Sequence, residues 1–426
     1  MELPRMLFAD DEGVIYEHPD LLLVGRRGWE EVIPSEDDLL PLPEMSRLFF
    51  MPDCPPRGLD PHSGKVVTLR TAWVGGRRVR CHAVAAFLEP GYARTLLPAA
   101  ETAGKRYVLP LWAYTAVGYA GEKYIACAFE VEYDPHWDPR NFDDRELLPR
   151  LRERMKRSSG NPLLRHLAHC AVRHHCFAAK NLFLGRWEAP LPVSRLCNAR
   201  CLGCLSQQPD GSCPPAHRRI SFTPAVEQIV EVAVDHLQNA PDPIVSFGQG
   251  CEGEPLTEAG LVAEAIHTIR ERTSRGTINL NTNGSMPDEL SKIIKAGLDS
   301  VRISLNSARR ELFERYVRPR DFSMEDVERS LSMCTEAGIF TMINYLIFPG
   351  VSDQEEEWEA LRGLIQRTGV HLIHLKNLCI DPDLYLKEMG VREGSPAMGM
   401  REFARRLQKE FPHIRIGYFN KCINSS

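Results

Sequence analysis

The sequence predicts an α/β protein: a parallel sheet of repeated βα units in its second half, preceded by a smaller β-containing domain and a helical connector. Three observations carry this. From Pro190 onward, short β-rich runs alternate with amphipathic helical patterns, the signature of βα repeats. Prolines crowd the stretch between Pro34 and Pro61, and short β-rich runs such as Val66-Val67-Thr68-Leu69 lie nearby, as in a strand-rich accessory domain. The chain has 426 residues, more than the roughly 250 to 300 at which a single core stops growing.

Composition excludes several classes. With 43% hydrophobic and 26% charged residues the chain is neither disordered nor collagen-like. No apolar run approaches the roughly 20 residues of a membrane span, and no signal peptide is legible. Thirteen cysteines, an odd number scattered over a long chain, argue against a disulfide framework and for metal or redox use in a reducing, cytoplasmic compartment. A net charge of −5 provides no global field for nucleic acid.

In chain order, residues 1–143 read as an N-terminal accessory domain, with a clear β run at 124–131 and Trp112, Tyr114, Tyr119 and Trp137 as bulky residues able to wall a site. Residues 144–185 form a basic helical connector: Asp144 to Lys180 holds nine Lys or Arg against three acids, and Asn161-Pro162 divides it into two helices. The barrel occupies 186–385, and 386–426 form a C-terminal cap. Strands are expected at 191–196, 244–247, 277–281, 300–305, 340–347 and 371–375, with helices at 224–238, 257–272, 286–296, 309–316, 324–337 and 353–367. Thr223-Pro224 reads as an N-cap followed by proline at the first helical position, and Gly297 and Gly338 as helix ends. The cap holds a helix at 398–410 and a strand at 414–418. Six strands with right-handed crossovers form either an open doubly wound sheet or a partial barrel, and either gathers ligands beyond the C-terminal strand ends.

Directly after the first strand stands Cys197-Asn198-Ala199-Arg200-Cys201-Leu202-Gly203-Cys204, three thiols within eight residues. Such spacing suits one metal centre, either a zinc knuckle or an iron-sulfur cube with one iron left open. Zinc wants a fourth ligand, and Cys213 and His217 complete no familiar paired spacing.

Cys197, Cys201 and Cys204 resemble the CxxxCxxC signature of the radical S-adenosylmethionine (SAM) superfamily. Later strand ends add to the likeness: Gly253-Glu254-Pro255 after strand two, Asn281-Thr282-Asn283-Gly284 after strand three, Ser304-Leu305-Asn306 at strand four, and Ile347-Phe348-Pro349-Gly350-Val351-Ser352-Asp353 after strand five. Each is a common turn when taken alone. The likeness covers roughly residues 190–383 and implies a partial (β/α)6 barrel. It further implies a 4Fe-4S cluster on the three cysteines and SAM held by Gly203, Gly253, Glu254, Pro255, Asn281, Asn283, Ser304, Asn306 and Ile347. Glu254 would face the methionine ammonium, Ser304 and Asn306 the ribose and carboxylate, and Ile347 the adenine, ahead of a helix capped by Ser352 or Asp353. Gly203 departs from the family, which commonly has an aromatic residue there.

The implied enzyme cleaves SAM reductively to a 5′-deoxyadenosyl radical that abstracts hydrogen from a small-molecule or peptide substrate. Flavodoxin or ferredoxin would supply the electron, and the class would be oxidoreductase or transferase. RNA modification, suggested by the basic connector, and a non-catalytic iron-sulfur or zinc protein are the alternatives; nucleic acid is the less favoured partner. Cys379, after strand six, is a candidate hydrogen-atom donor. The connector also holds His166, His169, Cys170, His174, His175 and Cys176. Cys170 and His174 are four apart and could share a metal, although a solvated basic helix accounts for the same letters.

Overall fold

The computed structural model describes residues 3–102, 105, 107–208 and 213–423. The chain divides into two compact units that are not contiguous in sequence: 1–133 with 346–360 and 375–412, and 134–345 with 361–374 and 413–426.

The first unit holds a ten-stranded sheet whose main path runs Tyr92–Arg94, Lys123–Glu130, Thr115–Ala120, His82–Phe87, Arg5–Ala9, Ile15–Leu23, Arg57–Asp60 and Lys65–Thr68. Its registered pairs are antiparallel. The β runs expected at 66–69 and 124–131 sit one residue earlier in each case. Gly121 and Glu122, at φ 55° and 62°, form the two-residue turn of the hairpin, with the left-handed backbone that matches strand twist. The crowded prolines do not prevent pairing, because Pro41 ends a short strand. Small residues fill the sheet: Ala9, Ala85, Ala86, Ala126 and Cys127 have no exposed surface. Arg94 is fully buried; Nη2 donates to the Leu378 carbonyl at 2.9 Å, and its guanidinium lies 4.9 Å from the Phe348 ring centre.

The second unit opens with three helices, α1 (Asp144–Arg157), α2 (Pro162–Arg173) and α3 (Phe177–Leu184), one more than expected. Asn161 caps α2, accepting from the Leu163 and Leu164 amides at 2.9 and 3.2 Å. The connector's basic excess is partly used within the unit: Arg154 pairs with Asp235, Lys180 with Asp144, and Arg150 donates to the Leu184 carbonyl.

The sheet that follows has seven strands in sequence order: β1 (Glu188–Pro190), β2 (Ile244–Phe247), β3 (Thr277–Thr282), β4 (Ser300–Leu305), β5 (Phe340–Ile347), β6 (Leu372–Asn377) and β7 (Arg415–Gly417). Its registered pairs are parallel, as a partial (β/α)6 barrel with an added edge strand requires. Helices α4 (Val226–Asn239), α5 (Ala259–Arg272), α6 (Pro287–Lys295), α7 (Arg310–Val317), α8 (Met324–Glu336) and α9 (Glu355–Thr368) occupy the connections. Gly297 and Gly338 end α6 and α8 at φ 109° and 74°. Among the described residues no helix is long and apolar enough to cross a membrane.

Three local expectations fail for one reason, competition from side chains for backbone groups. Strand one lies at Glu188–Pro190 rather than 191–196, since the Val193 and Ser194 amides donate to Glu252 Oε2 at 2.7 and 3.0 Å instead of to a neighbouring strand. Helix α4 begins at Val226, where Gln228 Oε1 accepts from the Ala225 amide; Thr223 instead donates to Glu258. Helix α9 starts at Glu355. Ser352 and Asp353 lie ahead of it and turn backward, accepting from the Phe348 and Gly350 amides at 2.9 and 2.6 Å.

Candidate active site

The loop bearing Cys197, Cys201 and Cys204 follows β1 and is held by the C-terminal end of α7 and the segment after it. Arg200 and Leu202 donate to the Val317 and Tyr316 carbonyls, Arg320 donates back to Asn198, and Ala199 bridges Pro319. The three cysteines are half-buried and free of disulfides. Burial pushes the Cys197 thiol up to about 11, with Glu254 and Cys204 adding to the rise, and pushes Cys201 well above its ordinary value. Thiolates here therefore call for a cationic partner. Arg219 supplies one contact, its Nη2 lying 3.6 Å from Cys204 Sγ. A cleft of about 250 Å³ lined by Cys197, Cys204, Arg200, Arg219 and Arg320 runs along the loop. Gly203 lies in the turn between the second and third cysteines.

The segment after β2 carries two buried carboxylates. Glu252 accepts four backbone amides: Val193 and Ser194 on Oε2, and Gly248 and Gln249 on Oε1, at 2.6 to 3.0 Å. Glu254 accepts from the Leu256 amide at 3.0 Å, the Thr282 hydroxyl at 2.5 Å and the Asn283 amide at 2.8 Å. Burial raises both carboxyls to about 7 against these hydrogen bonds. Gly253 is required by close approach: a Cβ there would lie 1.9 Å from the Leu196 carbonyl oxygen, to which Glu254 donates at 2.7 Å. Pro255 is buried at the start of a short 3-10 turn.

Asn283 links the end of β3 to the cysteine loop, its Nδ2 donating to Asn198 Oδ1 at 2.9 Å while Asn198 donates to Ser285 at 2.8 Å. Asn281 is buried and donates to the Phe247 carbonyl. Ser304 accepts from Asn344 at 3.0 Å, and Asn306 is buried and donates to the Leu312 carbonyl at 3.1 Å.

One face of the parallel sheet is polar. Ser300, Arg302 and Ser304 alternate along β4 with Val301, Ile303 and Leu305, which have no exposed surface. Registers place Ser246 beside Asn279, Asn281 beside Arg302, and Ser304 beside Asn344. Glu188 accepts from Ser246, Gln249 and Asn420 at 2.5 to 3.1 Å, and Asn279 joins Ser246 to Ser300. Arg302 Nε is buried without a hydrogen-bond partner, and burial holds its guanidinium below the ordinary range while Glu188 opposes the shift. The motif-led reading missed Glu188, Asn279, Arg302 and Glu252. Asn279 and Arg302 were legible as polar letters at every second position of T-I-N-L-N-T and S-V-R-I-S-L.

Cys379 and Ile347 belong to the other unit, where Cys379 Sγ contacts the Asn377 carbonyl at 3.7 Å and Ile347 is buried. The connector cysteine finds a partner on the other side from the one expected. Because α2 stops at Arg173, Cys170 faces His166, with Sγ and Nε2 3.6 Å apart. Among the described residues, His166, Cys170 and Cys251 are the set of His, Cys, Asp and Glu whose ligand atoms converge within 4.8 Å, and the three loop thiols are not so gathered. A hydrogen bond from Cys251 pulls the Cys170 thiol below its ordinary value, burial opposing it and His166 assisting.

The model of the radical SAM superfamily matches residues 191–361. GTP 3′,8-cyclase of Streptomyces coelicolor is 29% identical over 175 residues, 40% of this chain and 48% of that protein. The FeMo cofactor biosynthesis protein NifB of Azotobacter vinelandii is 22% identical over 246 residues, 54% of this chain and 46% of its own. The chain thus spans about half the length of the curated relatives it matches. Among solved structures, the FeFe-hydrogenase maturase HydG from Carboxydothermus hydrogenoformans aligns at TM-score 0.37 and 14% identity, over 65% of this chain and 67% of that one. The cofactors of the matched domain are a 4Fe-4S cluster and SAM. The cysteine loop fits the cluster: Cys197 and Cys204 border an open cleft, and among the described residues the three thiols are not drawn into the tight shell, sulfurs roughly 3.8 Å apart, that one zinc ion demands. Residues 191–361 form a radical SAM domain.

Proposed function

We propose that the protein is a cytoplasmic radical SAM enzyme, an oxidoreductase or transferase, that acts on a polar small molecule within the barrel. Cys197, Cys201 and Cys204 would hold the cluster, and the strand-end residues Gly203, Gly253 to Pro255, Asn281, Asn283, Ser304, Asn306 and Ile347 would bear on SAM. The cofactor pair supplies reductive cleavage of SAM and a 5′-deoxyadenosyl radical that abstracts hydrogen, with flavodoxin or ferredoxin as electron donor.

The chain's own residues do the rest. Glu254, with three acceptor positions filled by Leu256, Thr282 and Asn283, retains about one of a carboxylate's roughly four for an ammonium. Asn283 and Asn198 hold the cysteine loop against the end of β3.

The observation that carries the substrate class is the polar inner face, in particular the underused cation of Arg302. Parallel sheets covered on both faces are usually apolar, so buried polar groups there call for a polar ligand. An anionic group on the substrate would complete Arg302, in keeping with the likeness to GTP 3′,8-cyclases.

Anaerobic reconstitution should yield about four iron and four sulfide per chain and, with dithionite and SAM, 5′-deoxyadenosine. The Cys197→Ala/Cys201→Ala/Cys204→Ala variant should yield neither, and a full cluster in that variant would overturn the assignment. Arg302→Leu should keep both the cluster and slow unproductive cleavage, while losing the acceleration that polar anionic metabolites produce in the parent. Equal acceleration in the two proteins would overturn the substrate reading.

A further inference from the structure

The second unit carries another set of metal-ligating side chains, drawn from elements far apart in sequence. His166 and Cys170 lie one turn apart on α2, and Cys251 reaches them from the loop after β2; their ligand atoms lie within 4.8 Å of one another. Cys170 and Cys251 are 1% and 5% exposed, so two thiols meet an imidazole out of water. The separation of Cys170 Sγ and His166 Nε2 is 3.6 Å. A tetrahedral ion with bonds of about 2.0–2.1 Å to nitrogen and about 2.3 Å to sulfur would set such a pair roughly 3.6 Å apart.

A candidate fourth donor lies on the neighbouring segment, outside the three residues whose ligand atoms already converge. His217 lies against Gly250, where a Cβ would sit 3.4 Å from the imidazole Cδ2, and its buried Nδ1 has no hydrogen-bond partner. Backbone bonds from His217 to Leu205 and from Ile220 to the Cys251 carbonyl, 2.9 and 2.8 Å long, hold that segment beside the loop. Buried imidazole nitrogens are rarely left unpaired unless something else binds them.

We propose that His166, Cys170, Cys251 and His217 form a mononuclear site for a zinc-type divalent cation, separate from the three-thiol loop. Cys2His2 with borderline-soft donors matches zinc better than magnesium or calcium, which want oxygen. All four positions are taken by protein, so the ion is structural. It staples α2 to the loop whose next residue is Glu252, the clamp on the Val193, Ser194, Gly248 and Gln249 amides.

The test uses the full-length Cys197→Ala/Cys201→Ala/Cys204→Ala variant, so that cluster iron does not obscure the count. After incubation with zinc and gel filtration it should retain about one zinc per chain, and cobalt in its place should give the visible bands of a tetrahedral ion with thiolate charge transfer. Adding Cys170→Ser and Cys251→Ser should cut retention at least tenfold, and His217→Ala should weaken it and alter the cobalt spectrum. In the parent chain, bound zinc should shield Cys170 and Cys251 from alkylation until a chelator is added, a readout that does not depend on variants folding. Zinc-independent alkylation of both thiols, or a disulfide joining them, would overturn the proposal. A cobalt spectrum unchanged by His217→Ala would overturn the fourth ligand.

Discussion

The two sheets of this protein solve the same problem with opposite chemistry. The antiparallel sheet of the first unit is largely apolar inside: along His82–Phe87 the side chains of Ala83, Val84, Ala85 and Ala86 are buried on both faces, and its buried Arg94 bonds to the Tyr114 and Leu378 carbonyls. The parallel sheet of the second unit puts Val301, Ile303 and Leu305 on one face, but Ser300, Arg302 and Ser304 on the other. Sheet packing alone favours the first solution, because a buried polar group is stabilising only when its hydrogen bonds are satisfied. On the proposed function, the contrast separates a face shaped for a ligand from one shaped by packing.

The largest effect that would break the comparison lies in the clamp behind the polar face. Glu252→Ala strips the acceptor from four backbone amides, and since each buried donor left unsatisfied costs about 1–3 kcal/mol, the loss should be about 3 kcal/mol or more. Urea denaturation would measure it; a loss below about 1 kcal/mol would mean that water replaces the carboxylate.

Glu254 adds a pH dependence of defined sign. Its carboxyl is raised from 4.5 to about 7 by burial, so the folded chain binds more protons than the unfolded one between those values, and stability from this group falls as pH rises through that window. Glu254→Gln removes the titration, so the parent's advantage in unfolding free energy over this variant should shrink from pH 5 to pH 8, by no more than about 3 kcal/mol, as urea denaturation at each pH would show. A parent that instead gains on the variant as pH rises would show that the hydrogen bonds from Thr282, Asn283 and Leu256 outweigh burial.

The smallest effects compare the sheets directly. Ala85→Asn, at a position with no exposed surface, should cost about 2–3 kcal/mol by burying an unpaired amide. Arg302→Leu removes a buried cation whose Nε lacks a partner and should change stability by less than about 1 kcal/mol in either direction. Equal destabilisation by the two substitutions, followed by thermal unfolding, would erase the distinction drawn between the sheets.

Local chemistry made much of this molecule readable before folding. Period-2 and period-3.6 patterns located β2 to β6 and α4 to α9 to within a few residues, because burial on one face imposes those periods wherever the element lies. Cys197, Cys201 and Cys204 were legible for a similar reason: three thiols within eight residues lie on one loop wherever that loop folds. Termini were less legible. At 191–196 and 352–353 the competitors for backbone groups are a carboxylate about 60 residues away and side chains turned backward rather than forward.

The sequence by itself therefore determined the βα order and the three-cysteine loop after the first strand. Tertiary structure alone decided the partnerships that cross elements. Glu254 spends three acceptor positions on Leu256, Thr282 and Asn283, Asn283 reaches Asn198, and Cys170 meets Cys251 from 81 residues away rather than His174 from four. The physical reason is range. Periodicity and capping report on neighbours within a turn or a strand, whereas a buried polar atom takes whichever partner folding brings within about 3 Å, and no spacing in the chain records that choice.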